Sequence, residues 1–410
     1  MSGSEVTLGH IEAAAAALTG VAQHTPVDHA SYLSDLLGVP TYMKLENLQR
    51  TGSFKLRGAT YRLSRLTDEE KARGVVAASA GNHAQGVAFA AQQLGIDATI
   101  FMPLGAPVPK LLATKGYGAT VVTDGATVEE CLALAAEHAK RTGAMMIHPF
   151  DHADVIAGQG TIGLEILKDV PDVETVIVPI GGGGLIAGMA VALKEAGARA
   201  GRDIKVIGVQ AAATAAFPAS LAAGHPVTIE RHSTIADGIA VVRPGDVTFP
   251  LVQRYVDDVV TVEEDDLAKA VLTVLERTKL VVEPAGAAPV AAILGGHIRP
   301  TGPTVVLLSG GNIDPLLMQR IIAHGLVASG RYMTLRIPLP DRPGQLARVA
   351  DILAEVSANV IEVVHTRHDM GLTINDAVLE VSVETRGPNH QGEVLEALRL
   401  AGLSPDVISS

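Results

Sequence analysis

Four short segments carry residues whose chemistry could work together. In Thr51-Gly-Ser-Phe54-Lys55-Leu-Arg-Gly58, a lysine follows an aromatic ring inside a glycine-containing turn. A partly buried lysine amine can form an imine with an aldehyde. Taken alone, Lys55 reads as a surface lysine in a polar turn. Ser79-Ala80-Gly81-Asn82-His83 lies between an apolar run and a helical pattern. Backbone N–H groups at a helix start favour an anion, and an asparagine amide can hydrogen-bond a ring hydroxyl. The same segment also fits a plain helix cap by Ser79 or Asn82, with His83 as a cap or core histidine. In Pro179-Ile-Gly181-Gly182-Gly183-Gly184-Leu185, glycines let the backbone curl so that several N–H groups converge on a phosphate. A helix beginning near Leu185 would add its dipole. Leu308-Ser309-Gly-Gly-Asn312 places a serine just past a buried strand, where its hydroxyl either bonds a pyridine nitrogen or belongs to a simple turn.

The glycine run has a rival reading as a dinucleotide site. That reading wants an acid near the end of the next strand, for the ribose. Gln210 stands there instead, and the glycine spacing does not match. Each segment is a weak or moderate signal alone. All four in this order, all at strand ends, are what a phosphorylated aromatic aldehyde would need.

The elements that must position them follow an α/β pattern. Short apolar runs alternate with helical periodicity, as in parallel sheets wrapped by helices. Gly74–Ser79, Ala98–Met102, Ala119–Thr123 and Ala144–His148 read as a first set of strands, with a helix from about Asn82 and another through Cys131 and Ala136. Thr175–Val178, Ile204–Val209 and Thr304–Leu308 read as a second set, with helices over Thr161–Leu167 and Leu267–Arg277. After a joint at Ser329-Gly330 the pattern changes. Met333, Leu335, Ile337 and Leu339 alternate as in a half-buried strand. Pro343 opens a helix with Leu346, Val349, Ala350, Leu353 and Val356 on one face. Strands over Asn359–Thr366 and Ala377–Val383, a helix over Gln391–Leu400 and a strand over Pro405–Ile408 complete a βαββαβ, ferredoxin-like order.

Composition narrows the classes. The 410 residues are 48% hydrophobic, carry a net charge of −12 and are only 3% aromatic. This argues against a nucleic-acid surface and against anionic membranes. The single cysteine, Cys131, can form neither an internal disulfide nor a thiolate metal cage, and reads as a small apolar helix residue. Met1-Ser-Gly-Ser-Glu5 has no basic stretch before an apolar core, so no leader is expected. Thr175–Leu193 carries no charge and is long enough to span a bilayer, but Pro179 and four glycines divide it into a strand, a tight loop and a helix. A cytoplasmic protein is expected.

The quoted residues resemble the fold-type II pyridoxal-phosphate (PLP) enzymes, and within them the threonine/serine dehydratases. Glu46-Asn-Leu-Gln-Arg-Thr-Gly-Ser-Phe-Lys55, Ala157-Gly-Gln-Gly-Thr-Ile-Gly-Leu-Glu165, Glu283-Pro-Ala-Gly-Ala287 and Ser309-Gly-Gly-Asn-Ile-Asp314 carry the likeness, which covers nearly the whole chain. The tail resembles an ACT domain, an amino-acid-sensing module, through Asp341-Arg-Pro-Gly-Gln-Leu346. The resemblance implies a catalytic domain over 1–328, of two open twisted sheets wrapped by helices. A smaller subdomain over roughly 52–153 is inserted in it, and an ACT regulatory domain covers 331–410. It implies that Lys55 holds PLP covalently and is the catalytic base. By the same match Phe54 packs near the ring, Asn82 bonds its hydroxyl, and N–H groups from Gly181, Gly182, Gly183, Gly184 and Leu185 hold the phosphate. Ser309 faces the pyridine nitrogen, and the loop Ser79, Ala80, Gly81, Asn82, His83 receives the substrate carboxylate. The implied reaction is β-elimination and deamination of L-threonine to 2-oxobutanoate, with L-serine giving pyruvate, in a homodimer or homotetramer regulated by an amino acid. A serine or hydroxyaspartate dehydratase is the near alternative, and a non-catalytic amino-acid sensor the distant one.

Two departures bear on that implication. Serine racemases of this fold carry a serine as a second base where Ala80 stands, so elimination is favoured over racemisation. Relatives with a divalent cation often place an acid where Gln210 stands, which leaves a metal site unassigned. Ser309, being neutral, does not enforce a protonated pyridine nitrogen, which suits rapid elimination better than transamination.

Overall fold

A computed structural model describes residues 6–367 and 375–408. Met1–Glu5, where no leader was expected, lies outside the described residues. The chain divides into two compact units, Met1–Pro315 and Leu316–Ser410.

The first unit holds two sheets. The larger has six strands in the order Val27–His29, Thr41–Leu45, Thr304–Leu308, Thr175–Pro179, Lys205–Ala211, Asp258–Val262. All neighbours are parallel except the first pair. Its central strands are buried at every residue, as expected of a parallel sheet covered by helices on both faces. The smaller sheet is parallel throughout, in the order Thr120–Thr123, Ala98–Met102, Val75–Ala78, Met145–Met146. The uncharged stretch Thr175–Leu193 is a strand, a turn and the first part of the helix Gly184–Arg199. Among the described residues no helix is long and apolar enough to cross a membrane.

Three strands carry weak sequence signals and were not among those expected: Val27–His29, Thr41–Leu45 and Asp258–Val262. Thr41-Tyr-Met-Lys-Leu45 hides a charge in a strand next to the sheet edge. The Lys44 ammonium is buried and satisfied by Glu165 at 2.6 Å and the Thr25 carbonyl at 2.6 Å. The helix around Thr161–Leu167 is also longer than expected, running Ala153–Asp169. Its Gly-Gln-Gly segment serves packing. A Cβ on Gly158 would sit 2.6 Å from the Gly58 Cα and 2.7 Å from the Arg57 carbonyl, so this helix lies directly on the helix Lys55–Ser64.

The second unit contains the sheet Asn359–Thr366, Asp376–Glu384, Tyr332–Pro340, Asp406–Ile408, antiparallel throughout. With the helices Gln345–Glu355 and Pro388–Leu400 this is the expected βαββαβ arrangement. Met333, Leu335, Ile337 and Leu339 alternate into its core with Leu379, Val381 and Val383. The helix buries Val349 and Leu353, whereas Leu346 and Ala350, expected on the same face, are exposed. The helix Pro315–Ala328 groups with this unit.

Candidate active site

The carboxyl ends of both sheets of the first unit open onto one pocket of about 440 Å³. Strand Val75–Ala78 delivers the loop Ser79–Gly81, and the helix Asn82–Leu94 starts there. Strand Thr175–Pro179 delivers the glycine loop, and strand Thr304–Leu308 delivers Ser309. Phe54, Lys55, Ser79, Ala80, Gly81, Asn82, His83, Gly181, Gly182, Gly183, Gly184, Leu185 and Ser309 all line this pocket. Ligands bind at such strand ends because the loops there are free to vary on a rigid sheet.

Lys55 begins the helix Lys55–Ser64. Its place is set by backbone pairing: the Phe54 N–H donates to the Ser309 carbonyl at 3.1 Å, and the Gly311 N–H to the Gly52 carbonyl at 2.9 Å. The Lys55 Nζ donates to the Pro149 carbonyl at 2.9 Å and lies 5.2 Å from the Phe54 ring centroid. Burial pulls its pKa down to about 8, against the pull of Glu283. An amine in that range is partly neutral near pH 7 and therefore nucleophilic.

His83 Nε2–H donates to the Ile147 carbonyl, 3.0 Å away, and burial with the nearby Lys55 charge pushes its pKa down to about 3. It is a neutral wall residue. Gly81 N–H donates to Ser79 Oγ at 3.1 Å, which holds the loop closed on itself.

The glycine loop fits a phosphate. Gly183 has φ +99°, and a Cβ there would meet Phe217 at 2.7 Å and Thr248 at 2.9 Å. The Thr248 hydroxyl donates to the Gly182 carbonyl at 2.6 Å, which turns the peptide N–H groups the other way. Asp151 in turn accepts from the N–H groups of Asp246, Val247 and Thr248, fixing that support. Among the described residues the N–H groups of Gly182–Leu185 have no protein acceptor. Together with the helix Gly184–Arg199 they form an anion-binding cradle.

Charged neighbours that single residues in the sequence did not signal complete the site. The resemblance carried by Glu283–Ala287 implies no role for Glu283. That residue stands at the N-cap position of the helix Pro284–Leu294, and its carboxylate accepts from Asn82 Nδ2 at 2.6 Å. Burial, reinforced by Asp237, raises its pKa to about 7. Lys110 reaches Asp237 at 2.9 Å. Burial lowers the Lys110 pKa but Asp237, followed by Glu283, outweighs it, so the ammonium stays charged. Lone charges at 110 and 237 have no local pattern that announces them. Gln210, weighed above as a cation position, is buried and uses its Oε1 to accept from the Phe217 N–H at 2.9 Å.

A family model described as "Pyridoxal-phosphate dependent enzyme" matches residues 18–310. A protein of Geobacter sulfurreducens named L-threonine ammonia-lyase is 46% identical over 94% of this chain and 95% of its own. One of the same name from Thermotoga maritima is 46% identical over 98% of this chain and 100% of its own. The solved structure of the processed form of threonine deaminase isoform 2 from Solanum lycopersicum superposes with a TM-score of 0.73 at 38% identity, covering 78% of this chain and 88% of that one.

Proposed function

The chain belongs to the pyridoxal-phosphate dependent enzyme family, and we propose on that premise that it is a threonine ammonia-lyase. It converts L-threonine to 2-oxobutanoate and ammonia, and L-serine to pyruvate and ammonia. The observation that carries this is the buried Lys55 amine sharing one pocket with a phosphate-shaped glycine loop. Relatives named for the reaction at 46% identity over nearly the full length support it.

Lys55 would hold the cofactor, Gly181–Leu185 its phosphate, Asn82 its ring hydroxyl, Ser309 its pyridine nitrogen, and Phe54 would pack near the ring. Once bound, pyridoxal phosphate supplies an electron sink for the Cα–H bond of an amino acid. The loop Ser79–His83 would receive the substrate carboxylate at a helix start, where the N–H groups of Ala80, Asn82 and His83 have no protein acceptor among the described residues. Carboxylate placement orients Cα toward Lys55, whose amine, with its lowered pKa, takes the Cα proton. Ala80 offers no second base beside Cα. A hydroxyaspartate substrate would want a free cation for its second carboxylate, and Lys110 is already paired with Asp237. This favours threonine and serine, between which one methyl group discriminates by about 1–3 kcal/mol.

For the second unit we propose an ACT regulatory domain over 331–410, after a catalytic domain over 1–328 with a smaller subdomain over roughly 52–153. Its βαββαβ order and the turn at Asp341–Leu346 support that reading. The effector is an amino acid such as isoleucine or valine, and the enzyme acts in isoleucine formation as a cytoplasmic homodimer or homotetramer. The direct test is keto-acid production from L-threonine and L-serine by the wild-type chain and by Lys55→Ala. Full turnover in Lys55→Ala would sink the assignment.

A further inference from the structure

We infer that Asn312 and Glu283 are positioning residues that fix Asn82 as a hydrogen-bond donor toward the cofactor's ring oxygen, which is thereby held deprotonated. The inference rests on the cofactor reading above and adds which residues orient Asn82 toward the ring.

The Thr51 carbonyl can only accept, and the Asn312 amide lies 2.7 Å from it, so Asn312 must present its NH₂ there. The same NH₂ lies 2.8 Å from the Asn82 amide. Both Asn312 N–H groups are then used, and Asn82 must turn its oxygen toward them. Its own NH₂ therefore faces Glu283, which accepts at 2.6 Å. Rotating Asn82 by half a turn would set NH₂ against NH₂ on one side and oxygen against carboxylate on the other. Two opposed contacts, one on each side of a single amide, leave one orientation.

Asn82 is left with one uncommitted N–H, and its side chain lines the pocket. Its oxygen is turned to Asn312, away from that N–H. A ring oxygen at Asn82 thus meets a donor and is favoured as an acceptor without a proton. Space is reserved for the arrangement: a Cβ on Gly310 would collide with the Glu283 carboxylate and come within 3.2 Å of Asn82 Nδ2. This accounts for the glycine after Ser309 without any contact to a ligand. The charged groups facing Glu283 are Asp237, Lys110 and Lys55.

The test uses the full chain reconstituted with pyridoxal phosphate, and reads the visible absorption band of the bound cofactor between about pH 6 and 9. The wild-type band should stay that of the deprotonated ring oxygen across this range. Asn312→Asp replaces the donor with an oxygen facing both the Thr51 carbonyl and Asn82. Its band should move to shorter wavelength, and cofactor affinity should fall by about tenfold or more. Glu283→Gln keeps an acceptor for Asn82 and should keep the band position. A purely structural Asn312 would alter stability but not the band. Asn312→Asp with the wild-type band and affinity overturns the inference. So does a wild-type band that converts to the protonated form within the range, a result independent of whether the variant folds. A wild-type chain that takes up no cofactor would instead remove the cofactor reading itself.

Discussion

Arg57 meets Glu46 in a buried ion pair, Nη2 to Oε1 at 2.8 Å, two residues along the chain from Lys55. The guanidinium also reaches Glu165 at 2.6 Å and the Thr161 hydroxyl at 3.1 Å. It thus ties the helix Lys55–Ser64 to the helix Ala153–Asp169 and to the segment before Lys55. Burial alone would raise the Glu46 pKa, but Arg57 outweighs it and the carboxylate stays charged. Removing Arg57 strands that charge. Arg57→Met should lose about 3–5 kcal/mol of stability, read by urea unfolding. Arg57→Lys should lose less, since a point charge replaces the fork. Equal stability of Arg57→Met and wild type would mean that the pair only fills space.

The lowered Lys55 pKa sets when the apo chain can accept its cofactor. Imine formation needs the neutral amine. With a pKa near 8, the rate of cofactor incorporation should climb about tenfold per pH unit below pH 8 and level off above it. Stopped-flow absorbance of apo chain mixed with pyridoxal phosphate measures this. A rate still rising in the same way toward pH 10.5, the ordinary lysine value, would show an amine untouched by burial.

Much of this architecture is legible in the sequence where one physical rule dominates. The alternation from Met333 to Leu339 names its strand because one face of an antiparallel sheet is buried and the other is not. The glycine run after Pro179 is legible because only glycine tolerates the curl at Gly183. The strand Thr41–Leu45 is hidden because Lys44 is satisfied by Glu165, 121 residues away in sequence, a partner that no local window contains. Glu283 and Lys110 are hidden for the same reason. Their roles arise from Asn82 and Asp237, which the fold brings to them from distant segments.

Glu283 should leave a pH signature in the stability of the apo chain. Its folded-state pKa, about 7, lies above the ordinary 4.5. The folded state therefore holds a proton that the unfolded state releases first. Between pH 4.5 and 7, stability falls as pH rises, by up to about 3 kcal/mol, and levels off above 7. Glu283→Gln should remove this slope while other groups keep theirs. Denaturation midpoints of both chains across that window decide it. Parallel profiles would place Glu283 in an environment no different from water.

The tail yields the last expectation. If residues 331–410 sense an amino acid, the coupling must appear as an effector-dependent change in threonine turnover. A coupling free energy of 1–3 kcal/mol corresponds to a shift of about 5–150-fold in apparent threonine affinity. The full chain should show such a shift with isoleucine or valine, and a chain ending at Ser329 should keep turnover and lose the shift. The first unit carries its own buried clusters, so it retains a core after truncation. Gly344 supplies a second variant within the full chain. It sits at φ +91° in the turn from Tyr332–Pro340 into Gln345–Glu355, so Gly344→Val strains that turn alone. A truncated chain that responds to the effector as the full chain does would place the sensing site outside the tail, and leave the tail a purely structural element.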